Sequence, residues 1–135
     1  MQPDAPPVAV FVFNEDSSGG VEAYESLWAA SRQVEGIDVK NGEYAFIAAD
    51  GRGVEAKVSE KWDVTLRLTD ANRVEELRRR LAEELPRLGL HERLADSPLP
   101  AAQALVDQRW EDRWPRWPFW LDRRLHGERP VLVSS

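Results

Sequence analysis

The sequence predicts an α+β fold: a mainly antiparallel sheet built around a meander, helices packed on one face, and a helical, Trp-rich C-terminal segment. Three observations carry this. Between Val54 and Leu68 every second residue is apolar apart from one polar break at Glu60, and a period of two marks half-buried strands. Asn41-Gly42 and Asp50-Gly51 interrupt the apolar runs with dipeptides that tolerate the positive φ of tight hairpins. Val74, Leu77, Leu81, Leu85 and Leu88 recur at spacings of three and four, the stripe of an amphipathic helix.

Each element follows in chain order. Residues 1–7 contain three prolines and read as an extended lead-in. Val8 to Phe13, VAVFVF, is apolar without interruption, as expected of a strand covered on both faces. Asn14 to Gly20 is a loop. Val21 to Val34 reads as one helix, with Val21, Tyr24, Trp28 and Ser31 on one stripe and Gly36 as its stop. Ile37 to Lys40 alternates and is expected to pair, across an Asn41-Gly42 hairpin, with a strand at Tyr44 to Ala49. Two more strands follow, with Ser59-Glu60-Lys61 between them. Asp70 is placed to cap the leucine-striped helix, which Pro86 and Gly89 end. Residues 90–96 read as a connection. Ser97-Pro98 starts a helix whose apolar residues are Leu99, Ala102, Leu105, Val106 and Trp110 and which must stop before Trp114-Pro115. Trp117-Pro118 opens one more short helix, and Val131-Leu132-Val133 is a short apolar end suited to a sheet edge. The expected organisation is a sheet domain over residues 1–96 and a helical extension over 97–135, packed on it as one folding unit.

Charge is unevenly placed. Residues 1–69 hold 12 Asp/Glu against 6 Lys/Arg, whereas residues 70–135 hold 12 of each. The formal net charge of −6 therefore sits in the first half. An acidic chain repels phosphate backbones, so nucleic acid is not an expected partner, and electrostatics favour a basic one. No apolar run approaches the roughly 20 residues that span a bilayer, and no membrane partner is expected. The absence of cysteine removes disulfides and thiolate chemistry. With no signal-peptide pattern at MQPDAPPVAV, the expected compartment is the cytoplasm.

The chemical inventory is thin. His91 and His126 are the two histidines, and neither sits in a triad, HExxH or GxSxG pattern. No catalytic residue, metal ligand or cofactor is expected. Ser17-Ser18-Gly19-Gly20 lies between two predicted elements, where a glycine-rich loop can cradle phosphate, but it has no nearby lysine and follows Asn14, Glu15 and Asp16. A flexible loop with a helix cap is the plainer reading. Trp110, Trp114, Trp117 and Trp120 fall within eleven residues and interleave with arginines. They suit a cap cemented onto the sheet or an anchor for a protein partner. Glu111, Asp112 and Asp122 in the same window oppose a phosphate site.

The run Gly36-Ile37-Asp38-Val39-Lys40-Asn41-Gly42-Glu43-Tyr44, followed by Asp50-Gly51-Arg52 and by Val74-Glu75-Glu76-Leu77-Arg78, resembles small bacterial proteins of high-GC Gram-positive genomes. Some of these are candidate immunity proteins of polymorphic toxin systems. The likeness covers about residues 8–89 and implies no catalytic residues. What it implies is non-enzymatic protein binding, with neutralisation of a cognate, basic toxin domain as the concrete form.

The candidate partner-binding residues are Glu15, Asp16, Glu43, Asp50 and Glu55 on an acidic face, with Trp110, Trp114, Trp117 and Trp120 as apolar anchors. The alternative is a small-molecule-binding or small enzymatic domain with a pocket between the sheet and the Trp-rich segment. A homo-oligomer is a third arrangement these residues allow.

Overall fold

A computed structural model describes residues 8–16, 19–113 and 129–132. Five antiparallel strands form a sheet in the order β2-β1-β3-β4-β5. β1 (Val10–Asn14) lies between β2 (Val21–Tyr24) and β3 (Tyr44–Ala48), and Val10 to Phe13 are all buried, as an apolar run without alternation requires. Phe11 and Phe13 enter one core and Val10 and Val12 the other. β4 (Arg52–Val58) meets β3 at the Ile47–Gly53 pair and forms a long ladder with β5 (Val64–Asn72). The meander is therefore as its alternation predicts. Asp50 Oδ1 accepts from the Arg52 N–H (3.0 Å) in the first turn, and Ser59 Oγ accepts from the Lys61 and Asp63 N–H groups in the second.

The helices α3 (Val74–Glu84) and α4 (Pro98–Arg113) close one face of the sheet. Leu77, Leu81 and Leu85 are fully buried there against Phe11, Phe13 and Ile47, along with Ala101, Ala102, Leu105 and Val106 of α4. Each such large side chain contributes about 1.5–3 kcal/mol through burial. Val74, at the head of the leucine stripe, stays exposed. α4 stops at Arg113, ahead of Trp114-Pro115 as expected. The opposite face carries two short helices, α1 (Leu27–Ser31) and α2 (Gly36–Lys40), which cover Val10, Val12, Tyr24, Phe46 and Leu66. α1 touches β5 as well as β1 and β2. Both outer strands reach the same helix, so the sheet is strongly coiled around it.

Four local expectations are corrected. Val21 to Val34 is not one helix: Val21–Tyr24 pairs with β1, and only Leu27–Ser31 is helical, with the Ser26 hydroxyl accepting from the Ala29 N–H (3.0 Å). Val21 and Tyr24 fit a helical stripe by spacing, but Val21-Glu22-Ala23-Tyr24 also alternates, and the ladder to β1 decides in favour of strand. Residues 37–40 are helix, not strand. Asn41-Gly42 ends α2 instead of turning a hairpin: the Gly42 N–H donates to the Val39 carbonyl and the Glu43 N–H to the Asp38 carbonyl, with Gly42 at φ +74°. Asp70 does not cap α3, because β5 continues to Asn72, whose Oδ1 accepts from the Val74 N–H (3.0 Å). Residues 90–96, read as a connection, contain a 3-10 helix at Glu92–Asp96.

Val131 and Leu132 do not lie on a sheet edge. The Gln103 side chain of α4 donates to the Pro130 carbonyl (3.1 Å) and accepts from the Leu132 N–H (2.5 Å), and Arg129 lies near Asp107 and Glu111. The helix expected after Trp117 lies outside the described residues. Among the described residues no helix is long and apolar enough to cross a membrane.

Candidate functional site

The register of β1 on β3 decides which of the predicted acidic residues meet. Asn14 pairs with Tyr44, and the Glu15 N–H donates to the Glu43 carbonyl (2.8 Å), which brings Glu15, Asp16 and Glu43 to one end of the sheet. Val10 pairs with Ala48, so Asp50 sits at the other end. Glu55 lies within β4, opposite Arg67. The five residues do not form one face.

Their charges are also compensated unequally. Glu15 is held by Arg80 (2.5 Å), Asp50 by Arg52 (2.7 Å) and Glu55 by Arg67 (2.5 Å). The Arg80 hydrogen bond keeps the Glu15 carboxyl below the ordinary glutamate range, and the Arg67 hydrogen bond does the same for Glu55. At Asp50 partial burial opposes ionisation, but the hydrogen bonds from Arg52 outweigh it and the net shift is downward. These three carboxylates already have their cations. Arg80 is further fixed by Glu76 (3.0 Å) and lies over the Phe13 ring, 5.4 Å from its centroid.

A different set of carboxylates has none. Glu22, Glu35, Asp38 and Glu43 form no ion pair with arginine or lysine among the described residues. Protonated Glu43 can donate to the Asp38 carboxylate, and that bond together with the repulsion of the Asp38 charge raises the Glu43 carboxyl, with Asp16 adding to the effect. The Tyr44 phenol is raised by burial and then by the negative charges of Asp38, Glu43, Glu35 and Glu22. Behind it the Tyr24 hydroxyl donates to Glu22, and burial and that bond both push the phenol upward. Arg109 of α4 reaches round the edge of β2, donating to the Ala23 carbonyl (2.6 Å) and lying 4.2 Å from the Tyr24 ring centroid. The arrangement is an excess of like charge held by the short helix α2 and the ends of β2 and β3.

The same helix borders exposed apolar surface. Ile37 is 51% exposed and Trp62, in the β4–β5 turn, 48%. Gly36 packs directly on the Trp62 backbone: a Cβ there would lie 2.3 Å from the Trp62 carbonyl oxygen. Trp62 adopts φ +67°, a left-handed conformation uncommon for a bulky side chain, and Lys40 Nζ lies 5.2 Å from the centre of its ring. On α1, Trp28 is 63% exposed beneath the Arg32 guanidinium. Sequence alternation assigns Trp62 to the inward set and helical spacing does so for Trp28, and both are outward. The signal available in the sequence for Trp62 was its position one residue past a polar turn.

The glycine-rich loop closes onto α3. Glu84, 8% exposed, accepts from the Gly20 N–H (2.9 Å) and from Arg87 (3.1 Å). The place a phosphate would take at this loop is filled by an internal carboxylate, and because the strand β2 follows the loop there is no helix start at Val21 for it to cap. Around it lies an open cleft of about 270 Å³, walled by Glu15, Asp16, Arg79, Arg80 and Glu83. Its charges are mixed and most are paired.

Of the predicted tryptophan anchors, Trp110 is half-buried on α4, and Trp114, Trp117 and Trp120 lie outside the described residues. Among the described residues no group of three or more His, Cys, Asp or Glu side chains is placed to hold a metal ion. No protein-family model, curated protein or solved structure matches this chain.

Proposed function

We propose that the protein binds a basic protein partner through the surface around α2, and that neutralising a cognate toxin domain is the concrete form of this role. The observation that carries the reading is the set of carboxylates Glu22, Glu35, Asp38 and Glu43, without ion pairs among the described residues, next to exposed Ile37 and Trp62. Crowded like charges weaken the isolated fold, and a cationic partner relieves that repulsion. Half-exposed aromatic and aliphatic side chains beside them supply the apolar centre that stable interfaces use, with the carboxylates as a charged rim. An acidic rim of this kind competes with the substrate of a basic nuclease site by presenting the same charge. The likeness at residues 36–44 to candidate immunity proteins points the same way.

The test is co-expression with the product of the adjacent open reading frame. The expected result is rescue of growth and a complex whose association slows as salt is added. Replacing Trp62 with alanine should weaken the complex at least tenfold, a cost of about 1.4 kcal/mol or more at a central aromatic contact. Glu43→Gln should reduce mainly the association rate and its salt dependence. A complex unaffected by both substitutions, or no toxic neighbour at all, defeats the reading.

A further inference from the structure

The two edges of the sheet are treated differently. A helix packs on each edge strand, α4 on β2 and α1 on β5, but among the described residues it is on β2 that a side chain takes an outward backbone group, Arg109 donating to the Ala23 carbonyl. β5, nine residues long, is the other edge. Its ladder phase follows from one bond in the turn, where the Ser59 N–H donates to the Asp63 carbonyl (2.9 Å). Hydrogen-bonded pairs then recur every second residue, at Lys57–Thr65 and Glu55–Arg67. Val64, Leu66 and Leu68 occupy the alternate pairs, so their backbone N–H and C=O groups point away from β4. Among the described residues no hydrogen bond reaches them. Over residues 64–69 the strand has one charged residue, Arg67, and neither lysine nor proline, the residues that ordinarily blunt an edge.

We infer that β5 pairs with β5 of a second copy, antiparallel, about a two-fold axis at Leu66. This register uses all three outward residues: Leu66 meets its own equivalent, and Val64 meets Leu68 of the second copy. Each such pair exchanges two backbone hydrogen bonds. On the other side of the sheet Thr65 falls opposite Arg67, and Asp63, which has no ion pair among the described residues, falls diagonal to the Arg67 of the second copy. A shift that centres the axis on Arg67 sets two arginines directly opposite each other, which is unfavourable. The strand is thus self-complementary in backbone hydrogen bonding and in charge, as a two-fold interface requires, while the Leu66 side chain stays in the core of its own copy. On the opposite edge Arg109 already occupies the outward Ala23 carbonyl, which opposes pairing beyond two copies.

The experiment is the solution mass of the full chain over a dilution series, by light scattering or sedimentation. The expected result is a mass that doubles from one chain to two as concentration rises. Thr65→Lys, an exposed substitution that places a second cation against Arg67 of the neighbouring copy, should return it to one chain. Val64→Pro removes an outward N–H while leaving the β4 ladder intact and should do the same, with circular dichroism unchanged. A mass of one chain at the highest concentration reached overturns the inference. So does a two-chain mass that Thr65→Lys leaves in place.

Discussion

At the scale of single residues, the informative contrast is between carboxylates with and without a cation. Glu15, Asp50 and Glu55 are pulled below their ordinary values by arginine. They contribute stability that is present above the unfolded carboxyl values and is lost as pH falls through the lowered folded ones. Glu43 has the opposite sign. Its carboxyl is raised above the ordinary 4.5 by Asp38. Between the ordinary and the raised values the folded chain holds the extra proton, so this contribution is full below the ordinary value and is lost as pH rises through the raised one. Glu43→Gln should therefore stabilise the protein at pH 7 and change it little at pH 4. Urea midpoints at the two values check this, and a variant no more stable than the parent at pH 7 would show that the pair is already compensated.

At the scale of elements, α2 is too short to hold its own shape, since isolated helices of this length are marginal in water. Its stability comes from its two ends. Gly42 closes the C-terminus in the left-handed region, with open space where a Cβ would be. Gly36 seats the N-terminus on the Trp62 backbone with no room for a side chain. The two glycines predict different costs. Gly42→Ala meets only the unfavourable φ and should cost about 1 kcal/mol. Gly36→Ala must push α2 off the β4–β5 turn and should cost more, about 1–3 kcal/mol in the manner of overpacking. Denaturant titration of both variants gives the comparison, and equal costs would mean that the Gly36–Trp62 contact is not held in solution. Because that contact also orients Trp62, Gly36→Ala should weaken partner binding beyond its effect on stability.

At the scale of the whole molecule, β1 is the strand on which everything else is placed. Its register against β3 gathers Glu15, Asp16 and Glu43, and its two faces separate the core under α3 and α4 from the core under α1 and α2. Phe11, fully buried in the first core, makes the test. Phe11→Ala should cost about 3–5 kcal/mol, a large part of the stability of a domain this size. The loss should appear in one cooperative transition, read equally by tyrosine and tryptophan fluorescence and by circular dichroism. Separate transitions for the two faces would show that β1 does not couple them.

How far the chain alone could be read depended on whether local and long-range requirements agreed. From Tyr44 to Leu85 they did: alternation matched a half-buried sheet face, Asp50-Gly51 matched a tight turn, and leucine spacing matched a helix on that sheet. Those elements formed close to where pattern placed them. From Val21 to Glu43 the local pattern allowed two answers. Val21-Glu22-Ala23-Tyr24 satisfies both a helical stripe and a strand, and Asn41-Gly42 supplies a left-handed residue that serves a hairpin or a helix end equally well. Only the ladder on β1, and the bonds from Gly42 and Glu43 back into α2, chose between them. The candidate site was legible in the same partial way. The sequence by itself determined that negative charge is concentrated in the first half and that catalytic and metal-binding patterns are missing. Strand register decided that Asp50 and Glu55 stand apart from Glu15 and Glu43 and that Glu55 meets Arg67, and the folded structure leaves Glu22, Glu35, Asp38 and Glu43 without ion pairs among the described residues. Charge along a chain is a one-dimensional property, whereas its compensation depends on distances across the sheet, and those exist only once the strands have paired.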